Sequence, residues 1–488
     1  MRQRVTAEAI ASGNAGASAL KTIRVHSKLM LAFGLYTYYY LTAELLFTDC
    51  AGAAFGEQAA TVLYGVYCLA AAAGFFSFAV LRRVLVSTGA RRRLLFGMGC
   101  VGVVFTAAAP HMGGVFMAAL SVAAMLIAGH VGAAALFVMA VTVQEKSRLG
   151  MIIAMPYAGA FLLQYAMSYV LPLFGGASVW IHHVVIAAAL AGAAALLLTY
   201  AGAAPMGDAP HIAKKADAKK YLRGALVACL IISCLYGLVD GIIMALHTGQ
   251  QLNVYGWIRL IAIPGILFTG FMADYRDGRY FPFSTLAAWL AIIVAMFLFH
   301  TAETYNAALG SIYFFGSFMT MYSLAVFVRV AHDTDKPSFW ASAGRGMKYA
   351  AGGVFALAGS SVFTRLNYIV ITVVYVALLI ALFMIFTFRG RLAADAESPL
   401  ASPLASPFAS ARGGGLEPSP VFIVTEREHE IVMMLAGGKS VAAVADQLFI
   451  SEKTVRNHIS NMLRKTGAGS RELLFGMARD GHIVQKHR

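Results

Sequence analysis

The chain has 488 residues, 59% of them hydrophobic and only 12% charged, with a mean hydropathy of +0.72. Those values lie far outside soluble globular usage; they exclude an ordinary soluble domain and require many membrane spans. The formal net charge of +15 would normally point to nucleic acid, but most of the excess lies in connections between apolar runs; residues 421–488 hold ten Lys/Arg against seven Asp/Glu. Five cysteines, at 50, 68, 100, 229 and 234, form no CxxC pair and no Cys/His metal spacing, so neither a disulfide framework nor a metal site is expected.

Residues 1–28 are polar, with Arg2, Arg4, Lys21 and Arg24, and read as a cytoplasmic tail because no short apolar core with a small-residue cleavage site follows. Twelve apolar stretches come next, near 29–48, 59–81, 94–110, 114–143, 150–173, 179–200, 222–247, 253–273, 282–300, 304–330, 346–363 and 367–388. A basic loop at 201–221 divides them into a first six-span half (29–200) and a second (222–388).

Charge predicts the orientation. Alternate connections carry Arg82, Arg83, Arg91, Arg92 and Arg93; Lys146 and Arg148; Lys214, Lys215, Lys219, Lys220 and Arg223; Arg276 and Arg279; and Lys336 and Arg345. The intervening connections carry almost none, Arg365 excepted, so both termini are expected in the cytoplasm of a bacterial inner membrane.

The two halves echo each other. Gly89-Ala90-Arg91-Arg92 follows the second span, and Gly270-Phe271-Met272-Ala273-Asp274 with Gly278-Arg279 follows the eighth. Span count and these loops resemble the major facilitator superfamily, whose corresponding loops read G-x-x-x-D-R-x-G-R-R. The first copy lacks the Asp and the second has one extra residue before Gly278, a decay that weakens the expectation of active transport.

Ionisable groups inside spans are costly and therefore functional candidates. Glu44 in the first span and Asp240 in the seventh stand 196 positions apart, close to the 189 that separate Gly89 from Gly278. In a transporter-like fold both would line the central cavity as part of a small-molecule site, with Arg259 positioned to pair with Asp240. His130, Gln164, His182, His183, Asn367, Trp257 and the Tyr36, Tyr38, Tyr39, Tyr40 cluster add polar and aromatic groups that read mainly as packing and membrane-interface residues. No Ser/His/Asp set, paired-carboxylate site or phosphate loop stands out, so no enzyme activity, catalytic residue or cofactor is expected.

Residues 389–420 form a linker rich in Pro, Ser, Ala and Gly, which cannot bury a core. Flexible chain of this length spans roughly 30 Å and leaves no room for a phosphoacceptor domain.

Residues 421–488 read as a soluble four-helix unit. Thr425-Glu426-Arg427-Glu428 is a capping box, Gly437-Gly438 ends that helix, and Ser440 caps a second. Phe449-Ile450 turns the chain, Ser451 caps a third helix to about Lys465, and Ser470 caps a fourth. Val455, Ile459, Met462 and Leu463 make one buried stripe; the opposite face of this third helix shows Lys453, Arg456, Asn457, Ser460, Asn461 and Arg464, cations and amides suited to a DNA major groove. The T-x-R-E opening and Ser451-Glu452-Lys453-Thr454-Val455-Arg456-Asn457-His458 resemble the LuxR-type (GerE-like) helix-turn-helix domain. That resemblance implies groove insertion of the third helix and pairing through the fourth. Arg456, Asn457 and Ser460 or Asn461 would then read bases, while Lys453, Thr454, His458 and Lys465 would lie nearer the backbone. Thr466, where the family usually has Leu, is expected to loosen local packing.

The fold expected is thus all-α: a twelve-helix transmembrane bundle in two six-helix halves, followed by a four-helix LuxR-type domain. The function expected is a bacterial membrane-bound regulator that binds double-stranded promoter DNA as a homodimer and senses an unidentified small molecule, with RNA polymerase as a candidate further partner. The alternative is an active secondary transporter carrying an autoregulatory DNA-binding domain.

Overall fold

Backbone polar groups buried away from water have to be satisfied within the chain, and a helix does this internally. In the computed structural model helices accordingly form along the apolar runs. The structure describes residues 2–385 and 422–485, apart from 86, 144, 174–177, 201–211, 250, 297–303, 363–372, 374–375, 467–470 and 480–482. The chain divides into two compact units, Met1–Ser402 and Pro403–Arg488.

The first unit contains α1 (Arg2–Phe55), α2 (Glu57–Val84), α3 (Thr88–Ala108), α4 (Gly114–Thr142), α5 (Leu149–Val170), α6 (Ser178–Tyr200), α7 (Ile212–Thr248), α8 (Ala262–Asp274), α9 (Phe281–Met296), α10 (Tyr305–Met321), α11 (Phe327–Ala331) and α12 (Pro337–Val362). Among the described residues eight helices are long and apolar enough to cross a membrane, and Phe281–Ala295 and Val376–Ile385 are shorter apolar helices. On that criterion the described residues account for eight of the twelve spans expected from the sequence. Half of the twelfth, near 367–388, lies outside the described residues, as do the linker 389–420 and the first part of the basic loop.

Several boundaries differ from the hydropathy reading. The polar N-terminal tail is helical and continuous with the first span, as its Ala, Glu, Lys and Arg content favours. Helix α7 begins at Ile212, so the second part of the basic loop is helical too. Span eight opens with a 3₁₀ turn, Trp257–Ile261, before α8. Span ten runs from α10 through a π-turn, Tyr322–Val326, into α11.

The two halves meet where α2 packs on α12 and α5 on α8. Small residues permit the approach, as is usual where helices associate in lipid. A Cβ on Gly353 would sit 2.7 Å from the Gly65 carbonyl oxygen, and one on Gly150 would collide with the carbonyl of Gly270.

At one end of this junction Asp274 closes α8. Its carboxylate accepts the backbone N–H groups of Gly150 (2.7 Å) and Met151 (2.8 Å), two free donors at the start of α5, and pairs with Arg329 of α11 at 2.9 Å. Arg276 and Asp277, at φ 47° and 59°, and Gly278, at φ 75°, then reverse the chain towards α9. Lys146 adds a second bridge between the halves, to Asp333 at 2.7 Å, but both side chains are partly exposed. The sequence motif retained after span eight is thus a helix cap joining the halves.

The second unit contains β1 (Phe422–Val424), α13 (Glu426–Ala436), α14 (Val441–Gln447), α15 (Glu452–Thr466), α16 (Arg471–Arg479) and β2 (Ile483–Gln485). The strands form a parallel pair, Phe422 opposite Ile483 and Val424 opposite Gln485, which adds one short pair to otherwise almost wholly helical described residues. β-branched residues in both strands, with Phe422 in the first, favour this pairing.

Replacing Asp274 with Ala removes the partner of a largely buried Arg329 and uncaps α5, and is expected to destabilise the bundle by about 3–5 kcal/mol. Lys146→Ala, at a partly exposed pair, should cost less than about 1 kcal/mol. Thermal unfolding of the two variants in detergent checks the ranking, and equal melting temperatures would contradict it.

Candidate functional site

Two sites emerge, one in each unit. In the C-terminal unit Val424, Ile431, Val432, Leu435, Val444, Val455, Ile459, Met462, Leu474 and Ile483 form a single core that fixes the angles between the short helices. Leu463, expected in the buried stripe, is only partly buried against it.

The caps are in place. Thr425 Oγ1 accepts the Glu428 N–H at 3.3 Å, and Glu428 Oε2 accepts the Thr425 N–H at 2.9 Å, completing the capping box. Ser440 Oγ accepts the Ala443 N–H at 3.2 Å, and Ser451 Oγ the Thr454 N–H at 3.1 Å. Ser470, expected to cap the last helix, lies outside the described residues. Arg427 has a role that sequence reasoning missed: it donates to the Leu448 carbonyl at 2.7 Å, tying α13 to the end of α14.

The turn between α14 and α15 places Phe449 at φ 51° and leaves it 95% exposed. Thr466 is buried, and its hydroxyl donates to the Met462 carbonyl at 2.9 Å. The polar replacement for a leucine is therefore satisfied within the helix.

On α15 the buried and polar faces separate as the spacing predicts. Arg456 and Asn457 are exposed, and Thr454, His458, Ser460 and Asn461 are half-buried. The side chains of Lys453, Arg464 and Lys465 lie outside the described residues. Arg456 is held by Glu452, one turn earlier, at 2.6 Å.

The second site is a cavity in the helical bundle, lined from both halves. Glu44 and Asp240 both line it, as expected. Glu44 accepts the Tyr40 hydroxyl at 3.2 Å and the Cys68 thiol at 3.5 Å, and Asp240 accepts the Tyr64 hydroxyl. Arg259 lines it too, but the expected pairing with Asp240 is not formed. Instead Arg259 Nη1 donates to the Val254 carbonyl at 3.3 Å, and the guanidinium lies 5.2 Å from the Phe161 ring centre. Its position in the turn before α8, rather than within a regular helix, accounts for the local backbone partner.

Two cations of this cavity were missed. The charge pattern places Arg345 in a connection between spans; it is instead buried on α12 and donates to the Tyr157 hydroxyl at 2.8 Å. Lys348, one turn on, sits 4.6 Å from the Tyr236 ring centre and 3.5 Å from Thr320 Oγ1. The available signal was Pro337, a natural first residue of a helix, which puts Arg345 about 12 Å along α12 at 1.5 Å per residue. Among the described residues no ion pair joins Glu44, Asp240, Arg259, Arg345 and Lys348.

Other polar candidates have packing partners. His130 bonds Ser77 at 3.0 Å, Gln164 donates to the Leu41 carbonyl at 3.1 Å, and His183 bonds His111 at 3.2 Å. Asn367 lies outside the described residues. Tyr36, Tyr38, Tyr39 and Tyr40 are buried packing residues, and Trp257 is exposed.

Residues 423–478 match the family model of bacterial regulatory proteins of the luxR family. The spore germination protein GerE of Bacillus subtilis is 49% identical over 49 residues, covering 10% of this chain and 66% of that protein. The nitrate/nitrite response regulator protein NarP of Escherichia coli is 46% identical over 57 residues, 12% of this chain and 26% of NarP. The transcriptional regulatory protein DegU of Brevibacillus brevis is 42% identical over 52 residues, 11% of this chain and 22% of DegU. The chain thus spans two thirds or less of these relatives, and what it shares with them is a LuxR-type helix-turn-helix domain. Among solved structures, the human organic anion transporter MFSD10 (TETRAN) superposes with a TM-score of 0.48 at 14% identity, covering 75% of this chain and 99% of that one.

Removing the cap with Thr425→Ala is expected to destabilise the C-terminal unit by about 1 kcal/mol, because α13 loses a partner for a free N–H. Chemical denaturation tests this, and an unchanged midpoint would show that the box contributes nothing.

Proposed function

We propose that this chain is a bacterial membrane-embedded transcriptional regulator whose helical bundle senses a small molecule and controls a tethered, promoter-binding LuxR-type domain. The observation that carries the reading is the exposed Arg456 and Asn457 on the polar face of α15, within residues that match the luxR family. The apolar helices of the same chain supply the membrane part, and the cavity lined from both halves supplies the place for a ligand.

On this reading Arg456, Asn457 and Ser460 or Asn461 meet base edges in the major groove, where guanidinium and carboxamide groups can bond guanine and adenine bidentately. Lys453, Thr454, His458, Arg464 and Lys465 contact the phosphate backbone. Glu452 keeps Arg456 in place before binding and releases it to the base. Two domains pair on DNA because one recognition helix reads only a short half-site. Both termini lie in the cytoplasm, on the chromosome's side, in keeping with the basic connections.

The sensing step is a population shift. A ligand that binds one arrangement of the two halves better than another moves the bundle towards it, and access or pairing of the DNA-binding domains follows. The transporter alternative shares the charged cavity, and it alone requires substrate flux across vesicles that is lost when Glu44 and Asp240 are replaced.

Arg456→Ala is expected to weaken operator binding by about 1–3 kcal/mol and to relax one base position, whereas Lys453→Ala should weaken binding to all sequences alike and lower the salt slope by about 1. Fluorescence anisotropy across a salt series and a set of single-base operator variants measures both. Unchanged sequence preference in Arg456→Ala would remove that residue from the reading face.

A further inference from the structure

Buried charges that serve only structure normally pair with one another, because an unpaired charge in a low-dielectric interior is strongly unfavourable. The cavity departs from that pattern. Its two carboxylates have hydrogen-bond donors from the protein, in Tyr40 and Cys68 for Glu44 and Tyr64 for Asp240. A carboxyl group or an ammonium also has a neutral form available to it, and a guanidinium does not.

The two guanidiniums are the groups left wanting. Arg345 is 4% exposed and Arg259 7% exposed. Arg345 keeps its Nη1, and Arg259 its Nε, without a hydrogen-bond partner. What remains unmet in the side chains that line this cavity is therefore donor capacity carrying permanent positive charge. The species that satisfies it is an anion, and a carboxylate matches the two-pronged geometry of a guanidinium.

The rest of the wall describes the body of the ligand. Phe161 and Tyr157 from α5 and Tyr236 from α7 present rings to the same space. These rings stand beside the charged groups, so one wall of the cavity is apolar and the other polar.

We propose that the cavity binds a small aromatic carboxylate, its carboxylate held by Arg345 and Arg259 and its ring packed against Phe161 and Tyr157. Both guanidiniums belong to the second half, on α12 and in the turn before α8, and both rings belong to α5 of the first half. Such a ligand bridges the halves, which is what a ligand must do to favour one of their arrangements. This assignment rests on the sensing reading given above for its biological meaning, but not for its chemistry.

The test uses the full-length protein in lipid nanodiscs and three probes that share a phenyl ring and differ in head group: phenylacetate, phenylacetamide and phenethylamine. Phenylacetate at millimolar concentration is expected to raise the melting temperature, and the neutral and cationic probes are not. Arg259→Gln and Arg345→Gln are each expected to weaken phenylacetate binding by about tenfold or more, with Arg345→Lys retaining part of it. Should Arg345→Gln fail to fold, Arg259→Gln carries the test. No response to phenylacetate, an equal response to all three probes, or unaltered affinity in Arg259→Gln overturns the assignment. Phenylacetate binding that leaves promoter occupancy untouched would uphold the site and sink the sensing reading. Promoter occupancy shifted by phenethylamine but not phenylacetate would do the opposite.

Discussion

A guanidinium cannot shed its proton, and among the described residues of the bundle Arg259 and Arg345 are both buried. Arg345 donates to a tyrosine hydroxyl and lies over the Tyr349 ring, Arg259 donates to a backbone carbonyl and lies over the Phe161 ring, and among the described residues neither pairs with a carboxylate. A buried charge left without a counter-charge is strongly unfavourable, so the helices that carry it have to be held by other contacts. Here α12 is packed on α2 through glycines that bring backbones into contact. The same helix therefore joins the halves and carries the charge that distinguishes the cavity. A ligand that neutralises Arg345 acts directly on an element at the junction of the halves.

Asp274 solves the same electrostatic problem differently. Its carboxylate meets two backbone N–H groups and Arg329 together, so one side chain closes the start of α5 and neutralises a cation of α11. The contrast is instructive. Where the fold needs permanence it pairs charge with charge, and in the cavity it leaves the pairing open. That difference, more than the apolar composition, separates the structural charges from those available to a ligand.

Much of this was legible in the sequence. Apolar runs located the helices, since a run long enough to cross a bilayer has little else it can form. The caps at Thr425, Ser440 and Ser451 were readable because an N-cap needs only a short polar side chain at one position. Glu44 and Asp240 stand out because acids are rare within apolar runs. Arg345 and Lys348 do not, because basic residues near a span boundary look like connecting-loop charges, and only the helix start at Pro337 points the other way. Two further features depend on parts of the chain remote from each other. The β1–β2 pair joins three-residue strands about sixty positions apart, too short to show a period of two. Arg259 stays apart from Asp240 because of a 3₁₀ turn whose shape hydropathy does not encode.

The two units make a regulator only if the charged cavity and the recognition helix act on the same output. The most direct measurement is chromatin immunoprecipitation of the full-length protein from its host, with wild type, Arg456→Ala and Arg345→Gln compared at equal abundance in the membrane. The account predicts discrete promoter peaks for the wild type, their loss in Arg456→Ala, and changed occupancy at the same promoters in Arg345→Gln, whose DNA-binding domain is intact. An identical set of peaks in all three proteins, or none in the wild type under any growth condition, would contradict it.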